Sequence, residues 1–177
     1  MTIQPTLETN SLNLRLFVPS DATDVQFMAG DYRVAKMTEN IPHPYLDGMA
    51  EEWISTHEKR WHARERATWA ICSNTDEKLI GSIGLTLNGK HYRASLGYWV
   101  DRVHWGKGFC TEAAKAVVDF GFKHLNLHRI EATHLTINPA SGSVMRKVGM
   151  KHEGTMHDYV LKDGIFEDME QYAILAD

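Results

Sequence analysis

The stretch Leu96-Gly97-Tyr98-Trp99-Val100-Asp101-Arg102-Val103-His104-Trp105-Gly106-Lys107-Gly108-Phe109-Cys110-Thr111-Glu112-Ala113 decides the fold. It reads as a strand that runs into a glycine-bearing loop, and the loop opens a helix. A helix start leaves its first N–H groups without intrahelical partners, and the helix dipole adds partial positive charge there. Gly106 and Gly108 let the backbone approach a bound group closely. Together these features make an anion site suited to a diphosphate. The plainer reading is a strand-to-helix turn with two glycines. It is not a Walker loop, because no Gly-Lys-Ser/Thr closes it, and it lacks the three-glycine spacing of a dinucleotide fingerprint.

Upstream, Leu12, Leu14 and Leu16 alternate with polar residues, the period-2 mark of a half-buried strand. Pro19-Ser20-Asp21 starts a helix whose apolar stripe is Ala22, Val25, Phe27 and Met28, ending near Gly30. A short helix is expected from Tyr32 to Met37. Ile41-Pro42-His43-Pro44-Tyr45 is non-helical, since each proline drives its predecessor toward extended geometry. Asp47 is expected to cap one long helix from Gly48 to about Arg64, with Met49, Trp53, Ile54, His57 and Trp61 on roughly one face. Strands are expected at Thr68–Ser73, Leu79–Leu87 and Ala94–Val100, separated by turns at Asn74–Lys78 and at Asn88-Gly89-Lys90, a hairpin signal.

Downstream of the loop, the helix is expected to run from about Phe109 to Leu125, and a strand from His128 to Ile137. Pro139 opens another helix, which Gly149 ends. Two closing strands, about His152–Leu161 and Phe166–Leu175, flank the turn Lys162-Asp163-Gly164. This order predicts an α/β fold with a mixed, mostly antiparallel central sheet flanked by helices. With no repeat, linker or low-complexity tract, residues 1–177 read as a single domain.

Composition narrows the function. Nineteen basic against twenty-three acidic residues give a net charge of −4, which argues against a general nucleic-acid binder. No apolar run reaches the roughly 18–20 residues of a membrane-spanning helix. Met1-Thr2-Ile3-Gln4-Pro5 lacks a signal-peptide pattern, and Thr2 excludes N-myristoylation. Two cysteines, Cys72 and Cys110, do not make a disulfide scaffold. The expectation is a cytoplasmic protein with reduced thiols. His57-Glu58-Lys59-Arg60-Trp61-His62 is no zinc-protease helix, because its second histidine falls at i+5, and no metal is expected.

A second motif is Asn138-Pro139-Ala140-Ser141-Gly142-Ser143-Val144-Met145-Arg146-Lys147-Val148-Gly149-Met150. Asn138 stands where strand gives way to helix, a strong N-cap position, and Ser141 falls in the first turn. At this spacing the two motifs resemble the GNAT superfamily of N-acetyltransferases. Trp-Gly-Lys-Gly-Phe-Cys-Thr-Glu-Ala is similar to a form typical of one branch. The tail His152-Glu153-Gly154-Thr155, Asp163-Gly164, Asp168 and Tyr172-Ala173-Ile174-Leu175 fits the same branch, which contains the bacterial ribosomal-protein N-terminal (serine/alanine) acetyltransferases. The resemblance covers nearly the whole chain and is weakest between about Tyr32 and Arg66.

The resemblance implies acetyl-CoA as co-substrate and a GNAT-like fold. Its diphosphate would meet Trp105, Gly106, Lys107, Gly108, Phe109, Cys110 and Thr111. Its pantetheine arm would run beside Tyr98, Trp99 and Val100 in a splay between two parallel strands, with Asn138 and Ser141 touching the same arm. Cys110 reads as a packing residue. Ser141 is the group expected to assist the leaving thiolate, and a backbone amide at Val100 or its neighbours to polarise the acetyl carbonyl. Several relatives carry a Glu near Ser95, which cannot act as an unaided base. Glu39, His134 and Glu131 are the candidates for that role, each with a plainer structural reading, and a water chain is the alternative. Ile41–Leu46 is expected to line the acceptor mouth. The acceptor is a ribosomal-protein or other protein N-terminus, or a small amine such as a polyamine, aminoglycoside or amino-acid conjugate. Transfer of a longer acyl group and a non-catalytic acyl-CoA-binding module are the other readings. No direct nucleic-acid or membrane partner is expected, and oligomeric state is not legible.

Overall fold

Alternating apolar residues build the sheet in this computed structural model, which describes residues 3–176; Met1, Thr2 and Asp177, with part of the N-terminal reading, lie outside it. The strands are β1 (Leu7–Glu8), β2 (Leu12–Arg15), β3 (Arg66–Ser73), β4 (Leu79–Asn88), β5 (Arg93–Val100), β6 (Arg129–Leu135), β7 (Lys151–Lys162) and β8 (Ile165–Leu175). The helices are α1 (Ala22–Ala29), α2 (Tyr32–Lys36), α3 (Met49–Ser55), α4 (His57–His62), α5 (Phe109–Leu125) and α6 (Pro139–Val148). All eight strands form one sheet in the order β1-β2-β3-β4-β5-β6-β8-β7. Every neighbouring pair is antiparallel except β5 and β6. This is the mixed, mostly antiparallel α/β architecture expected.

Helix α5 covers one face. Its Ala113, Ala114, Val117, Val118, Phe120 and Gly121 are buried over Leu12, Leu14, Ile83 and Leu85. The Trp69 ring meets Phe120 edge-on, with centroids 5.4 Å apart. A Cβ at Gly121 would stand 2.8 Å from Ile130 Cδ1, so glycine lets α5 lie this close to the sheet without displacing that side chain. On the other face a smaller cluster of Ala22, Val25, Met28, Ala50, Ile54 and Leu79 packs with Phe17, Tyr45, Trp53 and Trp99.

Four expectations need correction. Phe27 is 79% exposed, because the inward face of α1 is Ala22, Val25, Met28 and Ala29 at helical spacing. The long helix is two, α3 and α4, broken at Thr56. There Ser55 Oγ donates to Glu52 O at 2.7 Å and Thr56 Oγ1 to Trp53 O at 2.8 Å. Such back-bonding competes with the helix ladder. Its N-cap is Gly48 in the left-handed region, not Asp47, whose carboxylate accepts from Gln26 Nε2 at 2.6 Å. Finally, the β4–β5 link is not a two-residue turn. Gly89–His91 form a short 3-10 turn, and Tyr92, at φ 49°, returns the chain into β5.

Candidate active site

The parallel pairing of β5 and β6 is short. Arg93, Ala94 and Ser95 register with Arg129, Ile130 and Glu131, and beyond them the strands part. From Leu96 to Val100, β5 keeps only β4 as a partner, while β6 follows β8. The result is a gap that widens toward the loop. Asp101 N donates to Ile80 O on β4 at 2.8 Å. Backbone groups alternate sides along a strand, so Tyr98 and Val100 turn their N–H and C=O groups away from β4, toward the gap. The Trp105 indole N–H takes the Val100 carbonyl at 3.0 Å and ties the loop to the strand end.

The loop carries the geometry an anion needs. Gly106 and Gly108 have φ of 74° and 87°, and no heavy atom lies within 4 Å of where a Cβ would be. Gly108 is the N-cap of α5 with no side-chain cap, so the first turn at Phe109, Cys110 and Thr111 keeps unpaired N–H groups. Arg102 reaches back to Asp31 at 3.6 Å, and Arg33 beside Asp31 holds that carboxyl down at about 2. Cys110 packs against the core, and burial pushes its thiol up to about 12, which fits packing rather than nucleophilic chemistry.

On the far side of the gap, α6 brings Asn138 and Ser141. Asn138 caps the helix, its Oδ1 accepting from Ser141 N at 3.3 Å, while its Nδ2 donates to Met37 O just past α2 at 3.0 Å. The plain N-cap reading holds, and the same side chain fixes α2 to α6. The Tyr98 hydroxyl lies 2.9 Å from Ser141 Oγ and 3.1 Å from Ser141 O. Burial pushes the Tyr98 phenol well above its ordinary value. Trp99 points the opposite way, into the α1–α3 cluster, so neighbouring β5 side chains serve different faces.

The other candidates are dispersed. His134 is buried; its Nδ1 meets Leu135 O at 2.8 Å and its ring stacks on Tyr172. Its Nε2 has no hydrogen-bond partner and is walled in by Gly142. Glu131 is engaged by Arg129 at 3.1 Å, and the Ser95 hydroxyl lies 3.5 Å away. Glu39 is exposed and lines a cleft of about 350 Å³ with Tyr32, Lys36, His43 and Lys162. Of Ile41–Leu46, only Ile41, Pro42 and His43 reach that cleft. The opposite wall is the tip of the β7–β8 hairpin at Leu161–Asp163, which sequence spacing did not reveal. Among the described residues no cluster of His, Cys, Asp or Glu could hold a metal ion. Nor is any helix among them long and apolar enough to cross a membrane.

A β5–β6 splay that ends in an uncapped, glycine-preceded helix start is the arrangement that the resemblance to the N-acetyltransferases implies. Residues 11–151 match the acetyltransferase (GNAT) domain family. The chain is 32% identical over 172 residues to the uncharacterized N-acetyltransferase YoaA of Bacillus subtilis, covering 97% of each chain. It is 30% identical over 111 residues to the [ribosomal protein uS5]-alanine N-acetyltransferase of Escherichia coli, covering 61% of this chain and 57% of that one. Among solved structures, the ribosomal alpha-N-protein acetyltransferase RimL in complex with coenzyme A superposes with a TM-score of 0.89 at 16% identity, over 98% and 99% of the two chains. The spermidine N-acetyltransferase of Vibrio cholerae, in complex with CoA and spermine, gives 0.81 at 22% identity, over 94% and 96%. The chain belongs to the GNAT family and is an N-acetyltransferase related to the ribosomal-protein acetyltransferases.

Proposed function

We propose that residues 1–177 act as one cytoplasmic domain that moves the acetyl group of acetyl-CoA to the α-amine of a polypeptide by direct attack in a ternary complex. The observation that carries the donor half is the uncapped start of α5 behind two positive-φ glycines, at the open end of the β5–β6 gap. There the N–H groups of Gly106–Thr111, with Lys107, bind the diphosphate. Tyr98, Val100, Asn138 and Ser141 border the arm. Acetyl-CoA supplies an activated thioester when bound. The chain's part is to orient it, to offer N–H groups of β5 to the acetyl oxygen, and to hold a proton at Ser141 Oγ for the departing thiolate. The incoming ammonium first sheds one proton to water; the neutral amine gives up a second as the C–N bond forms, and that proton restores the serine.

Support for a polypeptide acceptor comes from the cleft rim. Leu161, Ile165 and Phe166 at the hairpin tip are each more than 60% exposed, and Leu161 lines the cleft itself. An apolar rim grips a peptide better than a small cation. Glu39 across the cleft meets the incoming ammonium. The ribosomal-protein enzyme among the relatives favours the same reading. The second reading, a small-amine acceptor, draws on the spermidine enzyme among the structural neighbours. Mass spectrometry of cellular N-termini with and without the protein separates them. A protein N-terminus that loses its acetyl group supports the first; an unchanged set of N-termini beside a changed acetylated amine overturns it.

A further inference from the structure

Ser141 has two hydrogen-bonding oxygens within reach of one phenol. Its carbonyl lies inside α6, where it faces the N–H of Met145 and is already served by the helix ladder. Its hydroxyl has no such partner within the helix. Tyr98 comes from a different element, 43 residues earlier, and its hydroxyl lies nearer to Oγ, at 2.9 Å, than to the carbonyl, at 3.1 Å. The tyrosine ring is packed against the α5 face of the core, so the hydroxyl is a fixed point rather than a swinging one. Asn138 Oδ1 holds Ser141 N from the other end.

We infer that Tyr98 is a positioning residue for the transfer step: its phenolic O–H donates to Ser141 Oγ and so turns the serine proton outward, into the gap between β5 and β6. The inference rests on the reading of Ser141 as the proton donor to the leaving thiolate. With the serine oxygen accepting from Tyr98, the only direction left for its own hydrogen is away from the phenol. The same bond stabilises negative charge on Oγ as its proton departs. The proton balance needs nothing else. The Oγ–H bond breaks as S–H forms, the proton released by the amine restores Oγ–H, and the phenol keeps its hydrogen throughout. Burial disfavours a tyrosinate at this position, which sets Tyr98 as a hydrogen-bond donor and not the source of the transferred proton.

The test is a double-mutant cycle on Tyr98→Phe and Ser141→Ala with a ligand-free readout and a kinetic one. In thermal unfolding without ligand, each single variant is expected to lower Tm by about 2–4 °C, and the double variant by no more than the larger single loss. Turnover is followed by release of free CoA thiol with hydroxylamine as acceptor, a small amine that needs no acceptor contacts. Tyr98→Phe is expected to slow it about tenfold, with acetyl-CoA affinity unchanged within about twofold, and to slow Ser141→Ala no further. Additive losses in both readouts, or weaker acetyl-CoA binding at unchanged turnover, would overturn the role of Tyr98. Unchanged turnover in Ser141→Ala, or no enzyme-dependent thiol release by the native protein, removes the reading beneath it. The Tm coupling then still reports whether the hydrogen bond exists.

Discussion

Gly142→Ala is expected to destabilise the protein although alanine favours a helix. Relative to glycine, alanine in a helix interior contributes about 1 kcal/mol. Here its Cβ would stand 2.5 Å from His134 Nε2, 3.2 Å from His134 Cε1 and 3.3 Å from an Arg146 guanidinium nitrogen. His134 cannot swing aside: Nδ1 is held by Leu135 O at 2.8 Å and the ring stacks on Tyr172 at 5.7 Å. Helix α6 must lift instead, and overpacking of this kind costs about 1–3 kcal/mol. Because the clash is deep, the upper part of that range applies, leaving a net loss of about 1–2 kcal/mol. Tm should fall by about 2–8 °C at roughly 2–4 °C per kcal/mol. Differential scanning calorimetry on the native chain and the variant reads this directly. The control is the His134→Ala background, where the obstacle is gone and Gly142→Ala should raise Tm. A higher Tm for Gly142→Ala in the native background would refute the packing argument.

Other perturbations have signed outcomes. His57 is wedged between Phe17 and Trp53 with neither ring nitrogen hydrogen-bonded, and burial, then Arg66 and Arg60, lower it to about 4. The unfolded chain therefore takes up a proton that the folded chain refuses. Its contribution is intact above pH 6.5 and is lost between 6.5 and about 4, a span worth about 3 kcal/mol, so His57→Phe should flatten acid unfolding across that window. The exposed His157 beside Asp168 is raised, so its smaller contribution has the opposite sign and fades as pH rises. Asp21 accepts from Arg15 at 2.7 and 2.8 Å and from Val18 N at 2.9 Å, so Asp21→Ala should cost about 2 kcal/mol and unfold earlier in urea. Ser141→Ala should lower turnover about a hundredfold while leaving acetyl-CoA affinity nearly unchanged, as steady-state kinetics and calorimetric titration would show.

The legible parts of this fold are those where local chemistry and tertiary structure agree. Helix α5 spans Phe109–Leu125 and α6 spans Pro139–Val148 as expected, because glycine, proline and asparagine punctuate them unambiguously. Strands β3 and β4 were equally plain, since residues on both of their faces are buried. The α3–α4 break escaped notice because Ser55 and Thr56 compete with the helix through side-chain bonds that periodicity does not register. At the candidate site, the loop and Asn138 stood out as motifs. The contacts between distant elements did not. Nothing in the spacing of Tyr98 and Ser141, of His134 and Gly142, or of Glu39 and Leu161 marks them as neighbours, because a crossover, a strand-to-helix turn and a hairpin respectively bring them together.

The central claim is that the loop before α5 binds acetyl-CoA, and thermal unfolding with and without acetyl-CoA tests it most directly. A ligand that binds only the folded chain adds about 2.7 kcal/mol at a hundredfold excess over its dissociation constant. That corresponds to a rise in Tm of roughly 5–10 °C for a chain of this size. Gly108→Glu is the paired variant. Its side chain has room, so the fold should survive the strain of φ 87°, about 1–2 kcal/mol, but a carboxylate then occupies the anion's place. A clear upward shift is expected in the native protein and almost none in the variant. No shift at millimolar acetyl-CoA, or an equal shift in both proteins, would contradict it.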